Sequence, residues 1–81
     1  MHELSIAVSL VELASEEVRV RELHRVQAVH LRLGARSGVV KEALTFSFAL
    51  AADGTAIAGA ELRFEETAGT ELELRALEVV D

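Results

Sequence analysis

The chain has 81 residues, of which 51% are hydrophobic, and 14 acidic against 8 basic residues give it a formal charge of −6. This length predicts one small domain covering residues 1–81, and the 27% of charged residues argues against disorder. An acidic chain without a basic patch is not expected to bind nucleic acid. With no cysteine, it can form neither a disulfide nor a thiolate metal site.

Membrane and export signals are also missing from the sequence. Its apolar runs are far shorter than the roughly 20 residues that cross a bilayer. The N-terminus lacks the basic region and apolar region of a signal peptide. We therefore expect a cytoplasmic protein that does not act in a membrane.

The first predicted element is a helix over residues 4–20. Leu4, Ala7, Val11, Ala14 and Val18 follow the alternating three- and four-residue spacing of one helix face. A carboxylate at position 3 would lie in the first turn, where it complements the helix dipole.

A strand and a second helix are predicted next. Residues 26–33 alternate, with Val29, Leu31 and Leu33 on the inner face. Two glycines mark a turn at residues 34–38, and residues 41–52 return to helical spacing. Asp53-Gly54 then ends this helix, because glycine readily takes the left-handed conformation found there.

Two further strands complete the predicted order α-β-α-β-β. Residues 61–65 and 72–79 alternate, and a tight turn is expected at residues 67–70. The apolar parity changes near Ala76, which predicts a bulge or a strand end. We expect the last two strands to form an antiparallel hairpin.

These elements predict an α+β domain of two layers, with both helices packed on one face of a three-stranded sheet. The other face would be solvated. It would carry the alternate side chains of the strands: Ala28, His30, Arg32, Glu61, Arg63, Glu65, Glu71 and Glu73.

The N-terminus carries a candidate metal site. The amine of Met1, the amide nitrogen and imidazole of His2, and the amide nitrogen of Glu3 can close fused chelate rings on one ion. Four nitrogen donors in a plane suit Ni(II) or Cu(II), whereas Zn(II) prefers a tetrahedron. Ligation of the first amides of a helix breaks no helical hydrogen bond. Taken alone, a histidine at position 2 is weak support, since it could simply be a polar start to the helix.

The sequence resembles the HypA/HybF family of nickel-insertion proteins, which serve the maturation of nickel–iron hydrogenases. The similarity covers essentially the whole chain in several blocks. They are MHELSIA at 1–7, residues 26–34, SGVV at 37–40, EAL at 42–44, Phe48, GT at 54–55, GA at 59–60, Leu62, EL at 71–72 and EV at 78–79.

Two departures from the family pattern stand out. The family normally inserts a zinc domain with two CxxC pairs, a tetrahedral zinc signature, between the last two strands. Here the insertion point, near residues 66–70, holds only a short turn, so zinc is not expected. Natural loss and engineered deletion both remain open. Lys41 stands near a position where the family often has proline.

The resemblance implies a nickel metallochaperone rather than an enzyme. It implies nickel ligation by His2, with Met1 and Glu3 supplying nitrogens, and delivery to a hydrogenase large subunit alongside a GTPase. His24 and His30 are interpreted as surface histidines. The alternative is an interaction module without a metal, in which free sheet edges pair to form a homodimer. The two hypotheses differ in whether the activity of the protein requires His2.

Overall fold

A computed structural model describes residues 2–80. The predicted order α-β-α-β-β is confirmed. The elements are α1 Glu3–Arg21, β1 Val26–Gly34, α2 Lys41–Ala52, β2 Glu61–Thr67 and β3 Leu72–Val79.

Helix α1 buries one narrow stripe of small and aliphatic side chains. Ala7, Val11 and Ala14 are buried, as the spacing predicts, and Leu10 beside them is buried too, whereas Leu4 of the predicted face is 55% exposed. The helix ends where Glu22 takes a left-handed conformation with φ of 52°. This reversal turns the chain toward β1 and lets the sheet pack beneath the helix.

The sheet has the strand order β2-β1-β3, so β1 is central. β1 pairs in parallel with β2, with Val29 opposite Leu62, and antiparallel with β3, with Leu31 opposite Leu74. The predicted hairpin of β2 and β3 is therefore wrong. Because α2 carries the chain from β1 back to the start of β2, the connection is a crossover and the pair is parallel.

The predicted irregularity near Ala76 is confirmed as a register shift. His30 lies opposite Ala76, but the next residue, Leu31, lies opposite Leu74. Arg75 is therefore the extra residue of a bulge, which explains why the apolar parity of β3 changes there.

Residues 68–71, which we call the crossing, connect β2 to β3 over the end of β1. Three backbone amides at that end donate to the crossing and its flank: Gly34 to the Glu71 oxygen, Ala35 to the Thr67 oxygen and Arg36 to the Gly69 oxygen, each at 2.8 Å. The crossing passes so close to Gly34 that a Cβ atom there would overlap the Gly69 carbonyl.

The core lies between the sheet and the two helices, which cover one face as predicted. Its largest fully buried side chains are Phe48, Leu31, Leu44, Ile57 and Val29. Ala28 was expected on the solvated face but is fully buried. Its small side chain lies on the central strand, between neighbours Glu61 and Glu78.

Candidate metal centre

His2 immediately precedes the first residue of α1. Its backbone oxygen accepts a hydrogen bond from the Ile6 amide at 3.2 Å, which begins the helical ladder. Its side chain is exposed and makes no capping hydrogen bond. The imidazole is therefore accessible to a metal ion, directly beside the first backbone amides of α1, which have no carbonyl acceptor within the helix.

Glu3 is held by a contact that sequence reasoning did not predict. Its carboxylate accepts a hydrogen bond from the Val40 amide, with Oε2 and N 2.9 Å apart. This bond, together with one from the amide of Glu3 itself, lowers the pKa of the carboxyl below its usual 4.5. Val40 precedes the first residue of α2, so the bond joins the beginnings of the two helices.

The predicted ligands thus stand as follows. His2 and Glu3 are adjacent at the start of α1. Met1, the third predicted contributor, lies outside the described residues. Between residues 2 and 80, no group of three or more histidine, cysteine, aspartate or glutamate side chains is placed to hold a metal ion. A metal site here would need backbone nitrogens as well as side chains.

The other two histidines lie away from this terminus. His24 is exposed in the connection between α1 and β1. His30 is partly exposed, as predicted, on the open sheet face, which is the face of the sheet turned away from the two helices. Its Nε2 lies 3.0 Å from Glu78 Oε1. Arg63 donates to the same oxygen at 3.0 Å.

The open sheet face, which was predicted to be solvated, carries ion pairs between neighbouring strands. Arg32 lies between Glu65 on one neighbouring strand and Glu73 on the other, at 3.6 and 3.7 Å. These carboxylates neutralise cations of the same face, so this surface is a solvated ionic layer rather than a metal-binding cluster.

Comparison with known proteins identifies the family. The family model described as "Hydrogenase/urease nickel incorporation, metallochaperone, hypA" matches residues 1–79. The chain belongs to the HypA family. No helix within residues 2–80 has the length and apolar character needed to span a membrane.

Curated relatives agree with this assignment. The hydrogenase maturation factor HypA of Chloroflexus aurantiacus is 58% identical over 66 residues, covering 82% of this chain and 58% of that protein. The HypA of Thermomicrobium roseum is 36% identical over 89 residues, covering 100% of this chain and 68% of that protein. The chain thus spans just under three fifths of the length of the Chloroflexus relative.

A solved structure shares the fold. The solution structure of the Ni metallochaperone HypA from Helicobacter pylori matches with a TM-score of 0.85, covering 99% of this chain and 98% of that chain. Sequence identity is 20%, so this comparison shows the likeness of fold alone.

Proposed function

We propose that this chain binds one Ni(II) ion through its N-terminus and carries it as cargo for hydrogenase maturation. The observation that carries the proposal is the place of His2. Its exposed imidazole, which makes no capping hydrogen bond, lies at the start of α1. The chain belongs to a family whose description is nickel incorporation.

The proposed donors are the Met1 amine, the His2 and Glu3 amide nitrogens, and the His2 imidazole. Consecutive donors along one chain form fused chelate rings, and a planar nitrogen set is one that Ni(II) favours. The Glu3 carboxylate is already occupied by the Val40 amide. We therefore assign its backbone nitrogen, not its carboxylate, to the ion; on binding, this amide would give up its hydrogen bond to the Glu3 carboxylate.

The chemistry of this terminus is ligand exchange rather than catalysis. Amide nitrogens must lose their protons to bind, and the positive end of the helix dipole favours that loss. The same dipole opposes a bare cation, so the terminus combines a strong ligand set with an unfavourable field. We expect affinity to fall in acid, where protons compete for the amine and imidazole.

The wider biological role follows the family. We propose a hydrogenase large subunit as the recipient and a GTPase as the maturation partner, in the cytoplasm. The additional length of the relatives would enter near residues 66–70, at the crossing. Zinc is not proposed as a ligand of this chain, because cysteine thiolates are missing from its sequence.

The test is a calorimetric titration with Ni(II) of the protein prepared with Met1 as its first residue and with a free amine. We expect one ion per chain in the wild type and in a His24→Ala control, which removes a different exposed histidine. His2→Ala, and a two-residue N-terminal extension that displaces the amine, should abolish this binding. Equal binding by His2→Ala and wild type would refute the proposed site.

A second candidate is a non-metal interaction module, which the free sheet edges favour. Both β2 and β3 pair only with β1 within the described sheet, so each leaves one edge unpaired. Such edges can pair between chains to give a homodimer. Under this alternative, His2→Ala would leave the activity and assembly of the protein unchanged.

A further inference from the structure

The loop of residues 35–40, between β1 and α2, carries the amide that meets Glu3. Two consecutive residues at the end of β2 hold the two ends of this loop. At its start, Ala35 donates its amide to the Thr67 oxygen at 2.8 Å. Just beyond its end, the Lys41 Nζ lies 3.0 Å from the Glu66 Oε2.

Lys41 makes a second contact with the same strand. Its Nζ lies 5.0 Å from the centre of the Phe64 ring, in cation–π geometry. A lysine at the first residue of a helix is unfavourable beside the positive end of the helix dipole. The stability of α2 by itself therefore does not explain a lysine at position 41. Both contacts of this side chain instead join α2 to β2.

The loop between these two attachments is also held by internal hydrogen bonds. The Ser37 amide donates to the Gly34 oxygen at 3.0 Å. The Val39 amide donates to the Ser37 hydroxyl at 3.2 Å. The position of Val40 is consequently set by the way both ends of the loop are held.

We propose that Lys41 and Glu66 are positioning residues for nickel binding. Their ion pair closes the loop against β2 and places the Val40 amide where it meets the Glu3 carboxylate. That contact fixes the first residue of α1, which supplies one proposed nickel-binding nitrogen. The inference rests on the proposed function, and neither Lys41 nor Glu66 is a ligand in it.

The expected effect is modest because the pair is solvated. The side chain of Lys41 is 45% exposed and that of Glu66 is 68% exposed. Ion pairs of this kind contribute little, so we expect the nickel dissociation constant to rise about two- to fivefold when the pair is lost. The rise reflects lost preorganisation of the donor atoms.

The experiment compares Glu66→Gln with Glu17→Gln. Both substitutions remove one negative charge from an exposed ion pair, since Glu17 pairs with Arg21 at 3.6 Å. Glu17 lies 14 residues after Glu3 along α1, or about 21 Å at the rise of a helix. It therefore controls for the change in net charge without touching the loop.

Two quantities are measured for each variant. Calorimetry with Ni(II) gives the dissociation constant. Without metal, NMR gives the backbone order parameters of residues 38–41 and the shift of the Val40 amide proton. Lys41→Arg keeps a cation for both contacts and should behave as wild type, whereas Lys41→Met should behave as Glu66→Gln.

The expected result is weaker nickel binding, lower order in the loop and a shifted Val40 amide in Glu66→Gln and Lys41→Met only. The positioning role is overturned if wild type binds nickel and Glu66→Gln matches Glu17→Gln in both readouts. It is also overturned if nickel binding weakens while the loop is unchanged. If the wild type itself binds no nickel, the proposed function fails, and the positioning role fails with it.

Discussion

Gly34 lies where the crossing passes over the end of β1, and its replacement by alanine tests that geometry. A Cβ atom at position 34 would overlap the carbonyl of Gly69 and lie 2.8 Å from the Glu71 nitrogen. These neighbours are backbone atoms, so no side-chain rotation relieves the overlap. The crossing would have to move away from the strand.

The cost of that movement can be estimated from the bonds it breaks. Three backbone hydrogen bonds join residues 34–36 to Thr67, Gly69 and Glu71. At about 1 kcal/mol each, their loss costs about 3 kcal/mol. Alanine also lowers the conformational entropy of the unfolded chain, and this offsets roughly 0.4–1 kcal/mol of the lost stability. For a domain of this size, a net loss of about 2–3 kcal/mol lowers Tm by roughly 10–20 °C.

The assay is thermal unfolding followed by circular dichroism, with Gly69→Ala as the matched control. The three atoms nearest to a Cβ atom at Gly69 all belong to the carboxylate group of Glu71, which can rotate away. The cost of Gly69→Ala is limited to rearrangement of that side chain, including loss of its hydrogen bond with the Thr67 hydroxyl, so we expect a much smaller fall in Tm than for Gly34→Ala. A Gly34→Ala protein that melts within a few degrees of wild type would refute the close approach of the crossing.

Two further predictions concern the Glu3 contact and the core. The pKa of Glu3 is lowered in the folded state, so its carboxylate stabilises the fold above its usual pKa of 4.5, and this stabilisation is lost as pH falls through the lowered value. Glu3→Gln should therefore unfold more easily in urea than wild type at pH 7, with the difference shrinking below pH 4.5; a difference independent of pH would contradict this. Replacement of Phe48, which is 1% exposed, by alanine should lower the free energy of unfolding by about 3–5 kcal/mol. Replacement of Phe46, which is 68% exposed on the same helix, should change it by less than about 0.5 kcal/mol. Equal losses in urea unfolding would mean that the inward face of α2 is misassigned.

The helices and the layer arrangement follow from sequence patterns. The spacing of Leu44, Phe48 and Ala52 predicts the buried face of α2, and all three are buried. The predicted span of residues 41–52 is the observed one. These patterns succeed because helix periodicity directly records which face meets the core.

The neighbours of each strand could not be predicted in the same way. Alternation in β2 and β3 places Leu62 and Leu74 on the inner face whether the strands pair with each other or with β1. The choice depends on the path of the chain. The connection through α2 places β2 on one side of β1. The crossing, residues 68–71, then carries the chain to the other side of β1, where β3 lies.

The candidate site was likewise predictable only in part. His2 and Glu3 are indicated by the motif at the N-terminus, but the partner of the Glu3 carboxylate is a backbone amide 37 residues away. No side-chain pattern marks such a donor. The contact of Lys41 with Glu66 also depends on where β2 ends relative to α2, which only the tertiary fold determines.

The central claim is that backbone nitrogens of the N-terminus bind nickel, and proton release tests it most directly. Nickel titrations at one pH near 7.5, in buffers of different ionisation enthalpy, give the number of protons released per ion. Ligation through the His2 and Glu3 amides predicts at least about two protons, together with a yellow square-planar absorption band. Release of less than about one proton, without that band, would mean that the amides keep their protons and would contradict the proposed site.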